Sequence, residues 1–132
     1  MSKNLWISWE THTRSRSISN TLNIELVSNK YRIFKYMILT LRTIKVLFQK
    51  KPKVLIVQNP SIVLGYLSVL LRPLFRYKLI MDCHNAAIYP LENKYSWLTS
   101  IAQLLIRKAN FVIVTNDELS KKVLDLRGTP II

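Results

Sequence analysis

Two short apolar runs of the chain are each followed at once by side chains that can move protons or bind hydroxyl groups. Asp82 and His84 come directly after the second run. Imidazole titrates near neutral pH, so His84 is suited to act as a base or to position a hydroxyl group. Asp82 lies on the same side as His84 if the extended backbone continues that far, and it then orients the ring or serves as the base itself. Alternatively, both side chains only satisfy backbone groups of the loop.

Other polar residues near these runs are suited to hold a ligand. The side-chain amides of Asn59 and Asn85 both donate and accept hydrogen bonds, as recognition of hydroxyl groups requires. Asparagine also favours turns, and Pro60 directly after Asn59 strengthens that alternative. His12 and Arg14 follow an apolar segment near the start of the chain, where a guanidinium would pair well with phosphate oxygens. A solvated basic loop is the alternative for these two residues.

The elements that position these residues follow from the apolar pattern. Runs rich in Val, Ile and Leu, bounded by turn residues, indicate strands buried on both faces of a parallel sheet. The expected strands are Leu5–Trp9, Asn23–Val27, Val54–Val57, Lys78–Met81, Phe111–Thr115 and Thr129–Ile132, with helical patterns between them. Right-handed crossovers predict an α/β fold, with a Rossmann-like, mostly parallel sheet flanked by helices, in one domain over residues 1–132. Residues after the strands then lie at the carboxyl edge, where open α/β sheets bind ligands.

The clearest helical pattern runs from Ile33 to Gln49 and ends before Pro52. At about 100° per residue, one side of this helix is predicted to pack on the sheet while the opposite side is basic. The predicted core side consists of Ile33, Met37, Leu41, Ile44 and Phe48, and the basic side includes Lys35, Arg42 and Lys45. An apolar helix with a basic side is typical of an element at a membrane surface, and also of one packed between two others.

Capping residues and helix breakers predict where other helices begin and end. Ser61 is expected to cap a helix that bends or stops at Arg72-Pro73. Asn116 or Asp117 is expected to cap the last helix, and Gly128 to end it.

The charge of the chain predicts an anionic partner. The net charge is +13, and the sequence pI is about 10.2. Between Glu25 and Asp82 there are eleven Lys and Arg residues and no acidic residue. Ordinary solvated surfaces mix both signs, so this block favours nucleic acid, an anionic membrane or phosphorylated substrates as partners.

Composition excludes several classes of site. One cysteine excludes an internal disulfide and a cysteine-based zinc site, and it fits a reducing compartment. Two glycines cannot form a Walker A loop or the glycine-rich turn of dinucleotide-binding folds. The most apolar segment, Ile62–Leu71, is shorter than the roughly 20 residues of a membrane-spanning helix.

Four motifs that follow the predicted strands occur together in a known family. They are Trp9 with His12 and Arg14-Ser15, Val57-Gln58-Asn59-Pro60-Ser61, Asp82-Cys83-His84-Asn85, and Val114-Thr115-Asn116. In this order they resemble the N-terminal domain of the GT-B glycosyltransferases. The similarity is greatest to the family-4-like branch and to mannosyltransferases that act on dolichol-linked chitobiose, and it covers essentially the whole chain. The family's glycine-rich first loop is replaced here by Glu10-Thr-His-Thr-Arg14.

The resemblance implies the acceptor-side half of a two-domain hexosyltransferase. In that family the N-terminal domain receives the acceptor, and the C-terminal domain binds the nucleotide-sugar donor. The chain is therefore expected to bind no cofactor or metal itself and to need a donor-binding domain or subunit. Alone it is expected to be inactive, as a fragment, a truncated gene product or one subunit of a split enzyme. The implied catalytic residues are His84 and Asp82, and the implied acceptor-binding residues are His12, Arg14, Asn59 and Asn85.

The resemblance also implies a binding partner for the basic residues. Acceptors carried on polyprenyl pyrophosphates stay in the membrane, so we expect a cytoplasmic protein that lies peripherally at the inner face of an anionic membrane. Each basic residue near such a surface contributes about 1 kcal/mol. The residues expected to face it are Lys35, Arg42, Lys45, Arg72 and Arg76. The alternatives are a non-catalytic membrane-docking subunit that recruits a donor-binding protein, and a nucleic-acid-binding module, for which the sequence offers no recognition motif.

Overall fold

Short apolar runs of the chain form parallel strands, as expected where both faces of a sheet are covered. The computed structural model describes residues 4–9, 13–28, 35–59 and 61–132. Its strands are β1 (Asn4–Ser8), β2 (Glu25–Ser28), β3 (Val54–Asn59), β4 (Lys78–Cys83), β5 (Phe111–Ile113) and β6 (Pro130–Ile131). Its helices are α1 (Thr13–Thr21), α2 (Lys35–Lys50), α3 (Ile62–Phe75), α4 (Asn85–Ile88), α5 (Ser96–Lys108) and α6 (Asp117–Asp125), and Pro90–Asn93 forms a 3-10 turn.

The strands form one sheet in the order β2-β1-β3-β4-β5-β6. Every neighbouring pair is parallel, so the predicted α/β, Rossmann-like fold is confirmed, with a sheet that is wholly parallel over the described strands. The chain builds outward from β1 in one direction to β2 and in the other direction to β6. The strand order therefore reverses direction between β1 and β3, and the carboxyl edge at such a point is where doubly wound sheets bind ligands in a crevice.

The two faces of the sheet carry different layers. On one face, fully buried residues of β3, β4 and β5 belong to the same apolar cluster as residues of α2, α3 and α5; the strand residues are Leu55, Val57, Leu79, Met81 and Val112. α1 contacts β1 and β2, and a right-handed crossover places it on the other face. Because side chains alternate along a strand, Gln58 and Asp82 point towards the face that α1 covers. Both are buried, at 2% and 0% exposure.

α2 packs on the sheet through a different side from the one that its sequence predicts. The buried residues are Leu39, Thr43 and Leu47. Of the predicted core residues, Met37, Leu41 and Phe48 are 60%, 64% and 54% exposed. Ile44 is half-buried against the core, and Ile33 lies outside the described residues. The helix is apolar on two sides, so periodicity alone does not decide which side enters the core. The indole of Trp9 donates to Thr43 Oγ1 at 3.1 Å, which holds the side that contains Thr43 against the sheet.

α3 and α6 begin at the capping residues that the sequence predicts. Ser61 Oγ accepts from the N–H of Leu64 at 3.4 Å, and Asn116 Oδ1 accepts from the N–H of Leu119 at 2.9 Å, so both predicted caps are confirmed. α3 does not stop at Pro73 but continues to Phe75. The proline lies in the last turn, where few of the helix's hydrogen bonds remain to be lost. The helix ends at Arg76, which adopts a left-handed backbone with a φ of 55°.

α6 ends at a different residue from the one that the sequence predicts. Gly128 has no positive φ, and Arg127 supplies the left-handed conformation with a φ of 61°. Gly128 is required for a different reason, because a Cβ atom there would lie 2.7 Å from Val123 Cγ1. The glycine thus permits close packing of the chain against α6 rather than ending the helix.

Candidate functional site

The carboxyl ends of three strands and the first turn of α1 bring a set of polar side chains together. β1 contributes Ser8, β3 contributes Gln58, and β4 contributes Asp82, with His84 directly after it. α1 contributes Arg14 and Ser15. The set lies at the crevice between β1 and β3 and its neighbour β4, so the fold places it where a ligand is expected.

Arg14 joins the two residues predicted to be catalytic. Its Nη2 lies 3.2 Å from Oδ1 of Asp82, and its Nη1 lies 3.2 Å from Nδ1 of His84. The Asp82 side chain is fully buried, whereas 27% of the Arg14 side chain is exposed. The guanidinium therefore balances the charge of a carboxylate inside the protein, while part of the Arg14 side chain reaches solvent. Asp82 and His84 lie on the same side of the chain, as the alternation of the strand predicts.

The contact with Arg14 sets the tautomer of His84. A guanidinium has only donor groups, so Nδ1 of His84 must accept in this hydrogen bond. A neutral imidazole that accepts at Nδ1 carries its proton on Nε2. His84 is then a donor at Nε2, suited to hold an oxygen atom of a ligand. To act as a base, it would first have to release Nδ1 from Arg14.

A second polar layer lies beneath this group and supports it. Oε1 of Gln58 accepts from the hydroxyls of Ser8 at 2.5 Å and Ser15 at 2.8 Å. These bonds tie the first turn of α1 to β1 and β3, and so they hold Arg14 over the carboxyl edge. Nε2 of Gln58 is buried without a hydrogen-bond partner among the described residues. Sequence reasoning did not single out these three residues, although a polar residue inside a buried strand is the signal that marks Gln58 and Ser8.

The remaining predicted binding residues are placed differently. Asn85 is exposed as the first residue of α4, directly after His84. Asn59 ends β3 opposite Cys83, and its backbone alone is described. His12 lies outside the described residues. The structure thus brings Arg14, Asp82 and His84 into contact and leaves Asn85 beside them on the surface.

An apolar cavity lies next to the polar set. It has a volume of about 330 Å³, and its walls include Tyr36, Ile62, Val63, Ala86, Pro90 and Leu91. Ala86 is two residues after His84, so the cavity adjoins the last residues of the polar site. Leu91 is 62% exposed and has a left-handed backbone with a φ of 50°, which is unusual for a branched apolar residue. An apolar chain attached to a ligand in the crevice would find cover here.

The outer side of the helical layer is both apolar and basic. α3 exposes four large apolar side chains at helical spacing, which we call the α3 stripe: Val63, Tyr66, Leu70 and Leu74. Of the residues predicted to face a membrane, Arg42 and Lys45 are exposed on α2, and Arg76 is exposed at the end of α3. Arg72 is half-buried, and its Nη1 donates to the backbone oxygen of Lys108 at 2.7 Å. Lys35 begins α2 and is described by its backbone alone.

Comparison with known proteins does not assign the chain to a family. No protein-family model matches the chain, and a search of curated proteins finds no match. Among the helices of the described residues, none is long and apolar enough to cross a membrane. Over the same residues, no group of three or more His, Cys, Asp or Glu side chains is placed to hold a metal ion.

Proposed function

We propose that the chain is the acceptor-binding half of a glycosyltransferase that transfers a sugar from a nucleotide-sugar to a lipid-linked or surface-polysaccharide acceptor. The observation that carries the proposal is the contact of Arg14 with both Asp82 and His84 at the carboxyl edge of the sheet. The donor would be bound by a second domain or subunit across the crevice. The order of the four motifs along the chain supports the same proposal.

Each residue of the site has a role in this proposal that follows from its contacts. Asp82 holds Arg14 in place, and the N–H donors that the guanidinium does not use for Asp82 and His84 pair with phosphate oxygens of the acceptor. His84 donates from Nε2 to an oxygen of the acceptor and so positions the hydroxyl that is to react. Asn85, exposed beside it, is available to the sugar hydroxyls. The two candidate catalytic residues thus position the acceptor, with His84 touching it and Asp82 acting through Arg14.

The surroundings of the site support an acceptor that is carried on a lipid. The apolar cavity beside α4 is suited to the first units of a prenyl chain. The α3 stripe and the exposed cations of α2 would rest on an anionic membrane, which places the protein peripherally at the inner face of the membrane. Nucleic acid is the weaker partner because its phosphates would leave the exposed apolar side chains uncovered.

A second candidate function is a non-catalytic docking subunit that recruits a separate donor-binding protein. It is favoured by the burial of Asp82, since a carboxylate already compensated by Arg14 has a structural role of its own. In that case the polar set would only join α1 to the sheet. Membrane binding would be kept, while acceptor binding at the crevice would be absent.

Binding of an acceptor analogue to the 132-residue chain separates the two functions. The chain has two histidines, so the imidazole resonances of His84 are readily followed by NMR. On titration with farnesyl-pyrophosphate-linked chitobiose, we expect these resonances to shift and His84→Ala to weaken binding about tenfold, the equivalent of one neutral hydrogen bond. Asn20→Ala, at an exposed position of α1, is the control and should bind as the wild type does. Unchanged resonances, or equal affinity of the His84 variant, would reject the acceptor site and favour the docking subunit.

A further inference from the structure

A cavity with basic walls lies at the opposite edge of the sheet from the candidate site. It has a volume of about 670 Å³ and lies where α3 ends and β4 begins. Its walls include four cations, Arg72, Arg76, Lys78 and Lys108, and two apolar residues, Val69 and Pro73. None of the residues that line it is acidic. The nearest strand, β4, separates this cavity from His84 by its full length of six residues, about 20 Å.

Helix termini explain part of this charge but not all of it. Cations are favoured at the carboxyl ends of helices, and Arg72 fills that role by donating to the Lys108 backbone oxygen at the end of α5. Arg76 is the C-cap residue of α3, whereas Lys78 lies two residues beyond it, and both are exposed. Lys78 adds a charge that no helix end explains, and all four cations line one cavity, where a compact anion would lower their mutual repulsion.

We infer that this cavity binds a phosphate monoester group carried by a membrane lipid, an inference that rests on the membrane-docked function proposed above. A phosphate monoester has close to two negative charges at neutral pH and three accepting oxygens, which matches several converging cations better than a singly charged diester does. Guanidinium groups bind two of these oxygens at once. The apolar contacts of Val69 and Pro73 suit the glycerol carbons that follow the phosphate.

The neighbours of the cavity identify the source of the phosphate. Leu70 and Leu74 belong to the α3 stripe, are 61% and 63% exposed, and flank Arg72 and Pro73 in the chain. A free phosphate ion would leave these side chains in water. A lipid headgroup in the cavity would place them against the acyl region of the membrane, so one ligand would cover both the charge and the apolar surface.

Vesicles of matched surface potential test the inference. We would measure flotation of the whole chain with phosphatidylcholine vesicles that contain either phosphatidic acid, a monoester, or phosphatidylglycerol, a diester. The wild type is expected to bind the phosphatidic acid vesicles about tenfold more tightly, and Arg76→Gln with Lys78→Gln to lose that preference. Arg72 stays intact in this variant because it holds the end of α5. Arg42→Gln with Lys45→Gln removes the same charge from α2 and should weaken both bindings while keeping the preference.

The outcomes separate the inference from the function on which it rests. Equal binding of the wild type to both kinds of vesicle, or a preference that the Arg76 and Lys78 variant keeps, overturns the phosphate site and leaves membrane docking intact. Binding to neither kind overturns both. Inorganic phosphate provides the last arm: if millimolar phosphate shifts the amide resonance of Asn110, in the cavity wall, while the vesicles show no preference, the site binds a soluble anion and the lipid inference fails.

Discussion

The candidate site depends on one ion pair in which the two partners have unequal access to water. Asp82 is fully buried, and the side chain of Arg14, which forms an ion pair with it at 3.2 Å, is 27% exposed. A buried carboxylate that loses its partner keeps the full cost of its desolvation. The pair therefore matters for folding mainly because its disruption destabilises the protein. Arg14 and Asp82 are thus needed both for the candidate site and for the stability of the fold.

Replacement of Arg14 by methionine should lower the free energy of unfolding by about 2 to 4 kcal/mol, because the buried Asp82 carboxylate would lose its ion pair with the Arg14 guanidinium. Asp82→Asn in the same chain should restore at least half of that loss, since a neutral amide is cheaper to bury. Urea unfolding of the two single variants and the double variant gives the coupling directly. Lys122→Met, which breaks an exposed pair of 2.7 Å with Glu118, is the control and should change stability much less. Equal losses for Arg14→Met and Lys122→Met would show that the buried pair is not coupled.

Tyr77 makes stability depend on alkaline pH. Burial raises the pKa of its hydroxyl above the ordinary value of 10, against a smaller lowering effect of Arg72. Its contribution is thus fully present below pH 10 and is lost as the pH rises above it, because only the unfolded chain then ionises readily. Tyr77→Phe, which removes the hydrogen bond to the Ser68 oxygen, should be about 1 kcal/mol less stable than the wild type at pH 8.

Between pH 8 and pH 11, the wild type should lose about 1 kcal/mol more than the phenylalanine variant. Lysines titrate in both proteins, so the difference between the two unfolding curves isolates the tyrosine. A stability difference between wild type and variant that stays constant with pH would contradict the raised pKa of Tyr77.

At the scale of elements, the corrected orientation of α2 has a simple test. Leu47→Ala should lower the free energy of unfolding by about 3 kcal/mol, because Leu47 is fully buried and its removal leaves a cavity. Leu41→Ala on the same helix should change it by less than about 0.5 kcal/mol, because Leu41 is 64% exposed. Denaturant unfolding measures both. A larger loss at Leu41 than at Leu47 would restore the orientation that the sequence predicts.

The sequence predicts the elements well and their contacts less well. The strands and the Ser61 and Asn116 caps follow from local patterns, because periodicity and capping act over a few residues. The parallel direction of the strands follows from the helices that connect them. The packing side of α2 depends on Trp9, 34 residues from Thr43 in the chain, and such a contact leaves no local trace. The same holds at the site. Asp82 and His84 can be identified as candidates from their residue types, whereas the hydrogen bond of Ser15 to Gln58 joins residues 43 positions apart and cannot be predicted from a local pattern.

At the scale of the whole molecule, charge and exposed apolar surface lie on the same layer of helices. α2 and α3 are neighbours, as are α3 and α5. Large apolar side chains of all three are exposed, including Leu41, Leu70 and Trp97, at 64%, 61% and 63%. The face of the sheet that α1 covers holds the polar site instead. The molecule thus has the polar site at one edge of the sheet and an apolar, basic layer along one side, so the proposed membrane contact along that side would leave the polar site open.

The dependence on salt distinguishes the apolar from the electrostatic contribution to the proposed membrane binding. Leu70→Ser with Leu74→Ser should weaken flotation with phosphatidylglycerol vesicles at least tenfold at both low and high salt, because burial of apolar surface does not depend on screening. Arg42→Gln with Lys45→Gln should weaken it only at low salt, since at 1 M salt the Debye length falls to about 3 Å. Leu124→Ser, at a position 58% exposed on α6, is the matched control and should float as the wild type does. If the two α3 serines leave flotation unchanged, the α3 stripe does not contact the membrane, and the basic residues alone would have to account for any binding.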